Sequence, residues 1–152
     1  MATKLNRPFF DTDNLIEASV GKSIAEIFAE QGETSFRNLE SDIIEKVSEE
    51  QSAVIALGGG AVMRAKNVAM IRHKGILIYL NVPFDLLFSR ITDEEGRPLV
   101  AKLEKSQQWK KLKQLFDSRV TTYEQADVII ACSTESTAEE IASKIIYSLK
   151  EA

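Results

Sequence analysis

The stretch from Val54 to Met63 reads V-I-A-L-G-G-G-A-V-M, and it constrains the fold more than any other part of the chain. Its apolar start is typical of a buried strand, and the strand leads directly into three consecutive glycines. Because glycine has no Cβ, the backbone here can adopt positive φ angles and a ligand can approach the main chain closely. Open α/β sheets bind ligands in the loops at the carboxyl ends of their strands. We therefore predict a ligand-binding loop at Gly58, Gly59 and Gly60.

The order of segments around this loop predicts a single α/β domain. Apolar segments without a two-residue alternation occur between segments of helical periodicity, which is typical of a parallel sheet covered by helices on both faces. Strands are predicted at 8–10, 54–57, 76–80 and 127–131. Helices are predicted at 15–20, 24–31, 34–49, 66–72, 83–91, 107–123 and 138–149, and residues 92–105 read as a polar, mobile loop.

Composition narrows the class of protein. The 152 residues, 44% hydrophobic and 28% charged, suit an ordinary globular domain with its own core. A net charge of −4 argues against nucleic-acid or membrane-surface binding. The single cysteine, Cys132, cannot form an internal disulfide, and no 18-residue apolar run occurs. We predict a reduced, cytoplasmic setting, with a plastid as the alternative if a transit peptide has been removed.

Two carboxylates follow the first predicted strand. Asp11 and Asp13 stand where this strand ends and a helix begins. Such a pair can hold a magnesium ion through water and accept a proton from a substrate hydroxyl. The alternative is that Asp13 only caps the helix.

Several arginines are candidates for binding an anion. Arg37 has Glu40 one helical turn later, and an isolated pair at this spacing is usually an ordinary surface ion pair. Arg97 and Arg119 would likewise be solvated if each stood alone, but several arginines converging on a cleft would bind an anion bidentately. His73, the only histidine, stands beside basic residues at a helix end, and we predict that it is solvated rather than catalytic.

Six motifs occur together in an order that resembles one enzyme family. They are P-F-F-D-T-D at 8–13, S-I-A-E-I-F at 23–28, F-R-x-x-E at 36–40, G-G-G-A-V at 58–62, R-P-L at 97–99, and Arg119 with Tyr123. Over nearly the whole chain they closely resemble shikimate kinase. The resemblance implies a three-layer parallel sheet of the P-loop nucleoside-monophosphate-kinase type in one domain, 1–152. It also implies a monomer that transfers the γ-phosphate of ATP, with Mg²⁺, to the 3-hydroxyl of shikimate in the chorismate pathway to aromatic amino acids.

The resemblance assigns the substrate side to a region at about 12–40 and to the glycine loop. Asp13 would hold the reacting hydroxyl and act as the base. Arg37 and Arg119 would bind the shikimate carboxylate. Gly59, with Gly58 and Gly60, would direct backbone N–H groups to the substrate hydroxyls.

The resemblance assigns the nucleotide side to other residues. Asp11 would lie near the magnesium ion, through water. Arg97 would be a catalytic lid arginine, in a loop at about 92–106, that closes over the phosphates. Arg90 would stack on the adenine.

One departure from the family stands out. The sequence contains no G-x-x-x-x-G-K-[ST] phosphate loop. Gly21-Lys22-Ser23 imitates its end, but Ile16 stands where the first glycine is needed, and Ser23 is better explained as a helix cap with Glu26. We expect that this chain begins about where the family's first helix ends, so that the central first strand and the phosphate loop are missing.

Two consequences are expected from this departure. Phosphoryl transfer would be impaired by several orders of magnitude, since it depends on positioning and electrostatics. The unpaired sheet edges would make the chain fold poorly alone or associate with something.

Three functions remain open, and we give them in order of how well the sequence supports each. The first is an incomplete shikimate kinase, and the second is a non-catalytic shikimate-binding or regulatory relative. The third is a kinase of another small hydroxylated acid such as gluconate, which Arg37, Asp13 and the glycine run together disfavour.

Overall fold

The computed structural model describes residues 1–93 and 104–151. The chain divides into two compact units, Met1–Leu77 and Ile78–Ala152. The helices in this part are α1 (Ala2–Leu5), α2 (Thr12–Val20), α3 (Ile24–Val47), α4 (Ala65–Lys74), α5 (Phe84–Asp93), α6 (Lys105–Tyr123) and α7 (Ala138–Glu151). The strands are β1 (Phe9–Asp11), β2 (Val54–Ala56), β3 (Ile78–Asn81) and β4 (Val128–Ala131), and a 3₁₀ turn spans Ala61–Met63. The predicted alternation of strands and helices is confirmed.

In the first unit, β1 and β2 pair in parallel. Phe9 lies opposite Val54, and Asp11 lies opposite Ala56. Because parallel strands end at the same edge of a sheet, the residues after Asp11 and the glycines after Ala56 emerge side by side. This register places the candidate residues of both segments at one edge.

The core of the first unit lies between α2 and the two parts of α3. Ile16, Ile27 and Phe36 are buried at its centre. At Gly32 the backbone has φ 79° and ψ 173°, a non-helical conformation that favours glycine, so α3 breaks there. The break lets the rings of Phe28 and Phe36 pack with centroids 4.6 Å apart. The predicted boundary between two helices at Gly32 is confirmed.

Two caps fix the helix starts in this unit. Asp11, in an extended conformation, caps α2: its Oδ1 accepts hydrogen bonds from the backbone N–H of Asp13 at 2.9 Å and of Asn14 at 3.2 Å. The alternative that Asp13 caps this helix is therefore wrong, because Asp13 already lies inside it. Ser23 and Glu26 form a complete capping box at the start of α3, which confirms the role predicted for Ser23.

In the second unit, β3 and β4 pair in parallel from Ile78 opposite Val128 to Asn81 opposite Ala131. The α/β class with parallel strands is confirmed. The prediction of buried strands is wrong for several apolar side chains, since Leu80 is 42% and Ile129 is 46% exposed, and Phe9 and Ile76 are also exposed. In the described part of the chain each sheet has two strands. Within 1–93 and 104–151, no helix is long and apolar enough to cross a bilayer.

Candidate active site

Thr12 ties the two segments of the site together. Its side chain is fully buried, and its Oγ1 donates to the carbonyl of Ala56 at 3.2 Å. The same oxygen accepts a hydrogen bond from the backbone N–H of Gly58 at 3.3 Å. A single hydroxyl therefore fixes the start of α2 against the end of β2 and the first glycine. Sequence reasoning missed this role. The position of Thr12 between two aspartates places it in the same motif, but its partners, Ala56 and Gly58, lie 44 and 46 positions away.

Two carboxylates lie beside Gly58. A Cβ built at this glycine would lie 2.8 Å from Asp13 Oδ1 and 3.3 Å from Glu40 Oε1. The first distance is too short for a side chain, so glycine is required for the loop to approach Asp13 this closely. The loop and the carboxylate of Asp13 thus form one wall of the site.

Arg37 lies against the other end of the glycine run. A Cβ built at Gly60 would overlap the Arg37 guanidinium. Gly58 and Gly60 are two residues apart, a span of at most about 7 Å between Cα atoms. A carboxylate and a guanidinium therefore lie at the two ends of a short stretch of backbone, which suits a small ligand that carries both a hydroxyl and an anionic group.

The conformation of Arg37 is fixed by Glu40. Arg37 Nη1 donates to both carboxylate oxygens of Glu40, at 3.0 and 2.9 Å. Glu40 is only 1% exposed, so the interpretation as an ordinary surface pair is wrong. Burial raises the pKa of Glu40 above its ordinary value of 4.5, and the negative charge of Asp13 raises it further, whereas the hydrogen bonds and charge of Arg37 oppose the shift. A guanidinium held this way is pre-oriented before a ligand arrives.

Comparison with known proteins identifies the family. A family model described as shikimate kinase matches residues 1–150. The chain belongs to the shikimate kinase family. A shikimate kinase from Nostoc sp. (strain PCC 7120) is 39% identical over 149 residues, which cover 98% of this chain and 80% of that relative. One from Thermodesulfovibrio yellowstonii is 36% identical over 147 residues, covering 96% and 82%.

Solved structures agree in fold. Shikimate kinase from Bacteroides thetaiotaomicron has a TM-score of 0.88 and 32% identity, and the match covers 99% of this chain and 88% of that one. Shikimate kinase from Acinetobacter baumannii in complex with shikimate has a TM-score of 0.86 and 31% identity, covering 98% and 81%. The predicted family and its fold class are confirmed.

The remaining predicted residues belong to other elements of the chain. Arg119 is half-buried on α6, and Arg90 is exposed in the last turn of α5, both in the second unit. Arg97 lies outside the described residues, as does most of the predicted lid. The helix α5 extends to Asp93, into the stretch predicted as a loop from residue 92. His73 is exposed in the last turn of α4, which confirms its predicted solvation.

The described residues limit how magnesium could be held. No group of three His, Cys, Asp or Glu side chains in this part of the chain could bind a metal ion. Asp11 uses Oδ1 for the cap of α2, which leaves Oδ2 to accept from a metal-bound water. Mg²⁺ usually keeps several waters and takes its other ligands from one or two carboxylates and substrate phosphates, so Asp11 fits a water-mediated role.

Proposed function

We propose that this chain binds shikimate at the Gly58–Gly60 loop, and that the site serves transfer of the γ-phosphate of ATP to the 3-hydroxyl of shikimate. The observation that carries the proposal is the placement of Asp13 and Arg37 at opposite ends of the glycine run. The Acinetobacter relative in complex with shikimate, 31% identical to this chain, supports the choice of ligand.

Each residue has a defined task in this proposal. Arg37 donates two parallel hydrogen bonds to the ligand carboxylate, and Glu40 keeps the guanidinium oriented. Gly59 and Gly60 are the glycines whose backbone N–H groups we assign to the ring hydroxyls, since the N–H of Gly58 already donates to Thr12 Oγ1. The carboxylate of Asp13 accepts the proton of the reacting hydroxyl as the oxygen becomes a nucleophile. Arg119 is the predicted second donor to the carboxylate.

MgATP, when bound, supplies the phosphoryl group. We assign three residues of this chain to MgATP. Arg97 would lie over the phosphates, Arg90 would lie beside the adenine, and Asp11 would contact the magnesium ion through water. The printed sequence has no Walker A motif, whose backbone N–H groups and lysine cradle the β- and γ-phosphates. We therefore propose that the 152-residue chain alone transfers phosphate several orders of magnitude more slowly than a chain that carries the motif.

The absent motif also favours a second candidate. A shikimate-binding or regulatory relative would keep Asp13, Arg37 and the glycine loop without needing a nucleotide. It would bind shikimate and would not bind ATP, whereas an impaired kinase would show slow phosphate transfer.

We expect titration calorimetry to detect shikimate binding by the 152-residue chain. Arg37→Met and Asp13→Asn should each weaken it about tenfold or more, since a charged hydrogen bond to a ligand contributes roughly 1.5–3 kcal/mol. Arg7→Met, at an exposed arginine, is the matched control and should bind as the wild type does. The proposal would be wrong if the folded chain bound gluconate but did not bind shikimate.

We further propose a cytoplasmic protein that acts as a monomer, with association through sheet edges as the alternative. Each sheet has two strands in the described residues, so every strand has one edge without a strand partner, which supports the alternative. Analytical ultracentrifugation of the wild-type chain distinguishes the two states.

A further inference from the structure

Arg64 joins the segment after the glycine loop to α3. Its Nη1 donates to the backbone carbonyl of Arg37 and to Asn38 Oδ1, both at 3.0 Å, and lies 3.3 Å from Ser41 Oγ. The three acceptors lie on one turn of α3, which is the turn that carries Arg37. This arginine was not among the residues singled out from the sequence, because its partners are more than twenty positions away.

The backbone between the glycines and Arg64 is tightly turned. The N–H of Ala61 donates to Gly58 at 2.9 Å, and the N–H of Met63 donates to Gly60 at 3.1 Å. Asn67, which is fully buried, donates to the carbonyl of Ala61 at 2.9 Å. These hydrogen bonds fix the backbone between the glycine loop and Arg64, so a displacement of Arg64 should also displace the loop.

The turn of α3 that accepts these hydrogen bonds from Arg64 is itself held in place by further hydrogen bonds. Ser41 is 3% exposed, and its hydroxyl donates to the Arg37 carbonyl at 3.0 Å. Glu40, in the same turn, holds the Arg37 guanidinium. Arg64 thus links the segment that follows Gly60 to the turn of α3 whose Arg37 guanidinium lies against Gly60.

We propose that Arg64 is a positioning residue for ligand binding. It holds the Arg37 turn of α3 at a fixed spacing from Gly58–Gly60, so that the guanidinium and the loop amides bind one carboxylated ligand together. This inference rests on the proposed function for its ligand, but the spacing itself can be measured without one.

Amide hydrogen exchange without ligand tests the spacing. The reporters are the N–H groups of Gly58, Ala61 and Met63, which are hydrogen-bonded within or beside the loop. We expect Arg64→Met to speed their exchange about tenfold, which corresponds to a loss of about 1.4 kcal/mol of local protection. Arg64→Lys should restore part of the protection. The control Lys66→Met removes an exposed positive charge from α4 and should leave the rates unchanged.

A second variant covers the case in which Arg64→Met does not fold. Asn38→Ala removes one exposed acceptor of Arg64 and should speed exchange at the same amides by a smaller factor. Wild-type exchange rates at the loop in either folded variant would overturn the proposal.

A double-mutant cycle separates positioning from mere structural support. Arg64→Met should weaken shikimate binding about tenfold in the wild-type chain but have little further effect when Arg37 is already methionine, because Arg64 acts through Arg37. Additive losses would overturn the positioning role. If the wild-type chain does not bind shikimate, the proposed function fails, and the exchange rates alone decide whether Arg64 holds the loop.

Discussion

At Gly60 the backbone lies so close to the Arg37 guanidinium that a single methyl group would displace it. We predict that Gly60→Ala weakens shikimate binding about tenfold or more, a change of at least about 1.4 kcal/mol, because Arg37 must move away from Glu40. The overlap falls on the end of a flexible side chain, so we expect the unfolding midpoint to fall by only a few degrees, about 1 kcal/mol for a domain of this size. Calorimetry and thermal unfolding measure the two effects separately.

Gly75→Ala is the matched control for this substitution. A Cβ there would meet Ile71 O at 3.8 Å, an ordinary contact, and φ is −161°. Affinity and stability should both stay at the wild-type values. An unchanged affinity in Gly60→Ala would show that Arg37 does not contact the ligand in the orientation described.

Part of the site could be predicted residue by residue, and part could not. Asp13, Arg37 and the glycines are recognisable because their chemistry is tied to a local motif. The roles of Thr12 and Arg64 depend on partners 23 to 46 positions away, which no local pattern shows. The spacing of Arg37 and Glu40 predicts an ion pair, but it does not say that the pair is buried.

At the scale of elements, the helix boundaries were predicted best. Gly21 ends α2 with φ 70° and Gly32 interrupts α3 with φ 79°, so two glycines mark breaks that the sequence already indicates. The sequence did not show which aspartate caps α2. Asp11 and Asp13 are two residues apart, and a helix start is uncertain by about one or two residues. The exposure of Leu80 and Ile129 could not be predicted, since burial of a strand depends on what packs against it.

The capping box of α3 predicts a pH dependence of stability. Hydrogen bonds from the hydroxyl and the backbone N–H of Ser23 lower the pKa of Glu26 below its ordinary value of 4.5. A lowered folded-state pKa means that the stabilisation is present above about 4.5 and is lost as the pH falls through the folded-state value. Denaturant midpoints of the wild-type chain measured from about pH 6 to about pH 3 should therefore fall more steeply than those of Glu26→Gln.

Glu50→Gln, at an exposed position, is the control for the loss of a carboxylate. It should keep the steep wild-type decline over the same interval. If Glu26→Gln declined as steeply as the wild-type chain, the capping box would not be the source of the pH dependence.

At the scale of the whole molecule, the fold class and the family were predicted correctly, because six motifs spread along the sequence agree with one another. The expected effects of lacking a Walker A motif are not tested by this agreement. They concern the folding stability of the 152-residue chain and its rate of phosphoryl transfer, and similarity in fold measures neither.

Thermal unfolding with and without shikimate tests that consequence directly. A ligand that binds only the folded state at a concentration 100 times its Kd adds about 2.7 kcal/mol to the free energy of unfolding. For a chain of about 150 residues this raises the midpoint by roughly 5–11 °C. If the proposed site forms in the 152-residue chain, circular dichroism should show one cooperative transition, shifted upward by shikimate, unshifted by gluconate, and unshifted by shikimate in Arg37→Met. That result would show that the expectation of poor folding without the phosphate loop is wrong. A chain that shows no cooperative transition cannot bind as proposed, because the Asp13–Arg37 site exists only when β1, β2 and α3 are folded together.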